Sequence, residues 1–209
     1  METKGETKEA LSLSMQNWTH DVPVGTRADF LAHIEACKPR RLLEIGVFEG
    51  TSALALIREA LRYRPDAHLL VVDPWEALPS AEFTPEQLAA AKATFEANFS
   101  RSGLRSCVSV REDSSQRVLL DLLRAGASFD FIYVDGSHRA FDVYFDLVLA
   151  WELLLPGGTL AIDDVGWLLE APVLERPCAA VQHFEGAHMH EFDMPRCSPG
   201  YRHFLVKKQ

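Results

Sequence analysis

The sequence has no run of 18 or more apolar residues, so nothing in it reads as a membrane-spanning helix. The stretch Met1–Ala10 is polar and charged and has no apolar centre of a secretory signal. Cysteine is scarce. Cys37, Cys107, Cys178 and Cys197 are scattered without a C-x-x-C pair, which excludes a disulfide scaffold or zinc ribbon and leaves reduced thiols in a cytoplasmic protein as the expectation. Basic residues are the minority, 21 Lys and Arg against 30 Asp and Glu, for a net charge of −9. Phosphate backbones are normally met by a basic face, so neither nucleic acid nor membrane is an expected partner. A small molecule is, and a homo-oligomer is compatible with the composition.

What is there is enough apolar residue, 47% of 209, for one sizeable core. The expectation is a single domain over residues 11–209 behind a disordered tail at 1–10. Apolar runs at Arg41–Ile45, His68–Asp73, Arg105–Val110, Phe129–Val134 and Thr159–Asp163 predict strands. Helical patterns fill the gaps near Thr51–Tyr63, Pro85–Arg101, Ser115–Ala125 and Ala140–Leu154, and a shorter one, Ala28–Cys37, precedes them. A further helix is predicted near Val173–Glu185, then strands at Ala187–Phe192 and Tyr201–Val206. Repeated strand–helix alternation implies an α/β, Rossmann-like doubly wound sheet, mostly parallel, with helices on both faces. The last two of seven strands lack a helix between them, which predicts an antiparallel strand at the edge.

In such sheets ligands bind beyond the carboxyl ends of the strands. The first end reads Leu43-Glu44-Ile45-Gly46-Val47-Phe48-Glu49-Gly50-Thr51-Ser52. Gly46 and Gly50 permit a tight turn, and Thr51 and Ser52 begin a helix whose free N–H groups favour a carboxylate. This is not the dinucleotide pattern: Phe48 stands where the second glycine would be. The second strand ends at Asp73, placed to accept from two ribose hydroxyls. After the third come Asp113 and Ser114. Either can accept from an adenine amino group, and Ser114 can equally be the next helix's N-cap.

The fourth strand ends in Asp135-Gly136-Ser137-His138, and the fifth in Asp163-Asp164. If these strands are neighbours, three carboxylates converge and raise one another's pKa unless a cation joins them. Oxygen ligands suit magnesium or another hard divalent ion. His138, three residues after Asp135, is a candidate general base for a hydroxyl. His188 and His190 would share one face of a predicted strand, a weaker candidate metal pair that has no third ligand at convincing spacing, like His183 and His203 nearby.

These motifs, LLEIGVFEGTS, VVDPWEALP, FDFIYVDGSHRAFDVYFDL and LLPGGTLAIDD, resemble class I S-adenosylmethionine-dependent methyltransferases. The likeness is to the metal-dependent macrocin and mycinamicin sugar O-methyltransferase type and, more distantly, to catechol and caffeoyl-CoA O-methyltransferases. It spans roughly residues 25 to 165. The resemblance implies that Glu44 and Gly46 line the methionine part of S-adenosylmethionine, that Ser52 meets its carboxylate and that Asp73 holds its ribose. It implies Asp135, Asp163 and Asp164 as magnesium ligands and His138 as the base. The expected reaction is methyl transfer to a hydroxyl of a sugar or other natural product. Asp142 and Asp146 echo an acidic pattern and read as structural or solvated. Trp18, Trp75 and Trp167 are candidates to line the site, and Met15–Val24 and Pro74–Phe83 to cover it. Two other functions compete. A dinucleotide-dependent oxidoreductase is disfavoured by Phe48, and a non-catalytic binding module of the same fold by the full acidic set with His138.

Overall fold

The computed structural model describes residues 24–76, 83–167, 169–193, 196–197 and 202–209. The expected tail at 1–10, Trp18 and most of both candidate covering segments lie outside them. The elements are α1 (Val24–Cys37), β1 (Arg41–Ile45), α2 (Thr51–Tyr63), β2 (His68–Val72), α3 (Pro85–Ser102), β3 (Val108–Arg111) and α4 (Ser115–Arg124). These are followed by β4 (Phe129–Val134), α5 (Ala140–Leu153), β5 (Leu154–Ile162), α6 (Pro177–His188), β6 (Arg196–Cys197) and β7 (His203–Val206). The sheet order is β3-β2-β1-β4-β5-β7-β6. β1 to β5 are parallel, and β7 is antiparallel to both neighbours. No helix among the described residues is long and apolar enough to cross a membrane.

Alternation along the strands divides the core. Leu43 and Ile45 pack on one side with Val143, Leu147 and Trp151 of α5 and Phe184 of α6. Leu42, Val71 and Phe131 pack on the other with Leu56 of α2 and Phe95 and Phe99 of α3. A strand buried on both faces is apolar at nearly every position, which is why Leu69–Val72 of β2 and Phe131–Val134 of β4 read as continuous runs, while β1 buries one charged residue, Glu44. α3 begins with a capping box: Gln87 N–H donates to Thr84 Oγ1 at 3.3 Å, and Thr84 N–H donates to Gln87 Oε1 at 2.8 Å.

Two expectations fail here. Ala187–Phe192 is not a strand. α6 runs through His188, because Val181, Phe184 and His188 recur at helical spacing. The His188 ring stacks on Phe184 at 4.3 Å, and its Nδ1 lies 3.0 Å from the Phe184 carbonyl. Only Phe192 of that segment makes a bridge, to Lys207. The outer edge strand is instead Arg196–Cys197, and His188 and His190 share no strand face. Second, Arg105–Cys107 forms a 3-10 turn before β3, closed by Cys107 N–H to the Leu104 carbonyl at 2.9 Å.

The sheet's register sets the site. Ile45 pairs with Val72 and with Val134, and Val134 pairs with Ile162. The next residues, Gly46, Asp73, Asp135 and Asp163, therefore leave the sheet along one rim. β1 pairs with β2 on one side and β4 on the other, so the topology reverses at this point, where a crevice opens.

Candidate active site

A cavity of about 480 Å³ lies at that reversal. Gly46, Phe48, Ser52, Asp73, Ser114, Asp135, His138, Asp146 and Asp164 all line it.

Gly46 has φ +80°, and a Cβ there would stand 2.2 Å from the Asp135 carbonyl oxygen. The glycine is required because the β1 and β4 ends cross at backbone contact. Gly50, also at φ +80°, admits the Phe95 ring, 2.6 Å from where its Cβ would be. Asp73 fastens the turn. Its Oδ2 accepts from Val47 N–H at 2.8 Å and Phe48 N–H at 2.9 Å, and its Oδ1 from Trp75 N–H at 2.8 Å. Asp73 thus takes the turn role and still faces the cavity. Trp75 is buried against Phe95, with its indole N–H on the Phe48 carbonyl at 2.9 Å. It is packing, not lining.

Alternation places Glu44 on the α2 side of β1, fully buried. Ser52, in the first turn of α2, donates its hydroxyl to Glu44 Oε1. Glu44 Oε2 is buried without a hydrogen-bond partner. Burial drives the carboxyl up to about 8, Asp73 adds to the rise and the Ser52 hydroxyl opposes it. The Ser52 proton therefore points to Glu44, not outward to a ligand carboxylate.

Asp113 turns away from the cavity. Its Oδ1 accepts from Ser114 N–H at 2.7 Å, and Arg117 lies 3.7 Å from its Oδ2 in solvent. Ser114 faces the cavity instead. It occupies the N-cap position of α4 but makes no side-chain cap hydrogen bond.

At the β4–β5 end, the ligand atoms of Asp135, His138 and Asp164 lie within 4.8 Å of one another, the sole such group of three among the described residues. His138 Nε2 is 3.0 Å from Asp164 Oδ2, and the Trp167 ring centroid is 5.6 Å from that of His138. Asp135 is held well above the usual carboxylate range, by burial first and then by Asp163, Asp164 and Glu44, with His138 opposing. A donor set of two carboxylates and an imidazole fits a divalent cation.

Asp163 departs from the expected ligand set. Its Oδ2 accepts from Arg202 at 2.6 Å and from the Tyr133 hydroxyl, and its Oδ1 accepts from Asp164 N–H at 2.9 Å. Burial, then Asp135 and Asp163, push the Tyr133 phenol well above its normal range, so it stays a donor. Arg202 is 7% exposed and also lies over the Phe30 and Tyr133 rings at 5.3 and 5.7 Å. Arg202 follows Asp163 by 39 residues, and no local motif in the sequence announces it.

The histidines near the C-terminus are dispersed. His203 pairs with Glu185 at 2.7 Å, and His183 lies against Tyr144. Asp146, read above as structural or solvated, is 1% exposed and faces the cavity. Its spacing of four from Asp142 puts the two on one helix face, which is the signal that marks it.

Residues 43–165 match the family model described as a methyltransferase domain. The chain belongs to that family. A curated relative, "Probable caffeoyl-CoA O-methyltransferase 2" of Dictyostelium discoideum, is 24% identical over 164 residues, 76% of this chain and 63% of the relative. The chain thus spans about 63% of the length of that relative. Among solved structures it is similar to the O-methyltransferase TomG from Streptomyces achromogenes, in complex with SAM. The TM-score is 0.64 at 22% identity, over 90% of this chain and 82% of that one. It is also similar to an O-methyltransferase from Bacillus cereus, in complex with SAH, with TM-score 0.66 at 18% identity over 99% and 93%. The Rossmann-like, doubly wound sheet with its antiparallel edge is the fold of these enzymes.

Proposed function

We propose that this chain is an S-adenosylmethionine-dependent O-methyltransferase that methylates a hydroxyl of a small molecule, a sugar or another natural product. The observation that carries the reading is one cavity with two ends. The glycine turn pinned by Asp73 lies at one end, and Asp135, His138 and Asp164 lie at the other. The names of the relatives, all O-methyltransferases, support it.

S-adenosylmethionine supplies an electrophilic methyl, and a divalent cation held by Asp135 and Asp164 would lower the acceptor hydroxyl's pKa. The rest falls to the chain. The His138 imidazole, 3.0 Å from Asp164 through its Nε2, takes the acceptor's proton. Asp164 fixes the ring and stabilises the imidazolium that results. The acceptor oxygen attacks the methyl in line, so the C–S bond breaks as the O–C bond forms. Rate enhancement comes mainly from alignment.

Titration calorimetry should show binding of S-adenosylhomocysteine and none of NAD. The reverse would remove the reading. Asp73→Asn is expected to weaken S-adenosylhomocysteine binding by roughly tenfold to a hundredfold, the scale of losing one charge-assisted acceptor. Unchanged affinity would reduce Asp73 to its role in the turn. Chelator should abolish turnover of the wild type and magnesium restore it, with Asp164→Asn inactive under both conditions. Full activity of Asp164→Asn in chelator would exclude the cation from the mechanism.

A further inference from the structure

We propose that Asp146 is the acceptor for the exocyclic amino group of the cofactor's adenine, and so sets the choice of nucleobase. The proposal rests on the reading of the cavity as an S-adenosylmethionine site.

Asp146 lies in the second turn of α5, where α5 packs along α4. It is 1% exposed, its side chain lines the cavity, and its Oδ1 has no hydrogen-bond partner. Leaving a buried carboxylate oxygen unmatched is costly, so a native fold supplies a donor from somewhere. The neighbouring polar groups satisfy only part of it. The Ser115 hydroxyl acts on the carboxyl, and the nearest acid on the same helix face, Asp142, already accepts from Ser137 at 2.8 Å. Burial, with Asp142 adding, raises Asp146 to about 7 against the Ser115 hydrogen bond. A ligand N–H would relieve that.

The cavity's other polar ends are assigned. Asp73 lies at the ribose end, and Asp135, His138 and Asp164 at the reacting end. The corner that remains is built by Ser114, Ser115, Gln116 and Asp146, just past the end of β3, where adenine is expected. Adenine's amino group is its donor, and its ring nitrogens are acceptors. A buried carboxylate matches the amino group. The first-turn N–H groups of α4, which have no carbonyl partner within the helix, match the adjacent ring nitrogen. Asp113, the acid that the sequence offers for this role, is turned to Arg117 and solvent.

The test uses S-adenosylhomocysteine and S-inosylhomocysteine, in which a carbonyl replaces the amino group, titrated into the wild type and Asp146→Asn. The wild type should prefer the adenosyl ligand by roughly 10–100-fold. In Asp146→Asn the preference should collapse toward unity, because the carboxamide can donate to the inosyl carbonyl. Equal weakening of both ligands, with the preference intact, would make Asp146 a buried cap of α4 and overturn the proposal. A wild type that binds both ligands equally would overturn it without any variant, even if Asp146→Asn fails to fold. Absence of binding by either ligand to the wild type would instead sink the underlying reading.

Discussion

His138→Ala is expected to lower turnover by roughly 10²–10⁴-fold, the usual scale for loss of a positioned general base. Affinity for S-adenosylhomocysteine should stay near the wild-type value, because His138 faces the acceptor end of the cavity together with Asp135 and Asp164. Wild-type turnover should rise with pH through one ionisation, since only neutral imidazole can take the proton, and the variant should lose that step. The pair of readouts separates a base from a residue that merely shapes the cavity. A shaping residue would change the acceptor KM and keep the pH profile. If the variant turns over normally with the same profile, the proton goes elsewhere, with Asp135 the next candidate.

The second large effect concerns Glu44. The resemblance places it at the methionine end of the cofactor, where a cationic ammonium would meet the carboxyl whose Oε2 lacks a partner. In the free protein the carboxyl is raised to about 8, so at neutral pH it carries a proton. An adjacent ammonium favours the ionised form, and binding therefore releases that proton. Affinity for S-adenosylhomocysteine should rise with pH by up to about tenfold per unit between about pH 5.5 and 7.5, then level off as Glu44 ionises unaided. Calorimetry in buffers of different ionisation enthalpy counts the proton directly. Glu44→Gln should bind more weakly at pH 7.5 and lose that proton from the pH slope. A slope identical to that of the wild type would remove Glu44 from the contact. The stability of the free protein carries the opposite sign. Glu44 is raised above its ordinary value of 4.5, so its share of stability is complete below about pH 4.5 and is lost as pH rises through about 8.

The fold was legible wherever a pattern was local. The strands at 41–45 and 129–134 are as expected, because burial on both faces leaves mostly apolar segments bounded by turn residues, with Glu44 the buried exception. The segment 187–192 was misread because six residues of mixed polarity carry no secure period. The helix claimed His188 through its stack on Phe184. At the site, the convergence of Asp135 and Asp164 followed from two successive strand ends. The fate of Asp163 did not, because its partners come from a residue next to the end of the neighbouring strand, Tyr133, and from Arg202 far along the chain. Asp113 and Ser114 differ by one residue, and their orientations depend on the turn geometry before α4. Periodicity does not encode that geometry.

The Arg202–Asp163 pair has a consequence for the order of assembly. Asp163 is laid down with the fifth parallel strand, in the heart of the sheet, whereas its counter-charge arrives at the start of the last, antiparallel one. Until residues 203–206 have docked on β5, the rim of the crevice holds its acids against one another without that cation. Phe204 and Leu205 of β7 are themselves part of the core, so the docking of that one strand closes the core and brings Arg202 to the rim in the same step, and β7 acts as the latch that sets the charge of the finished site.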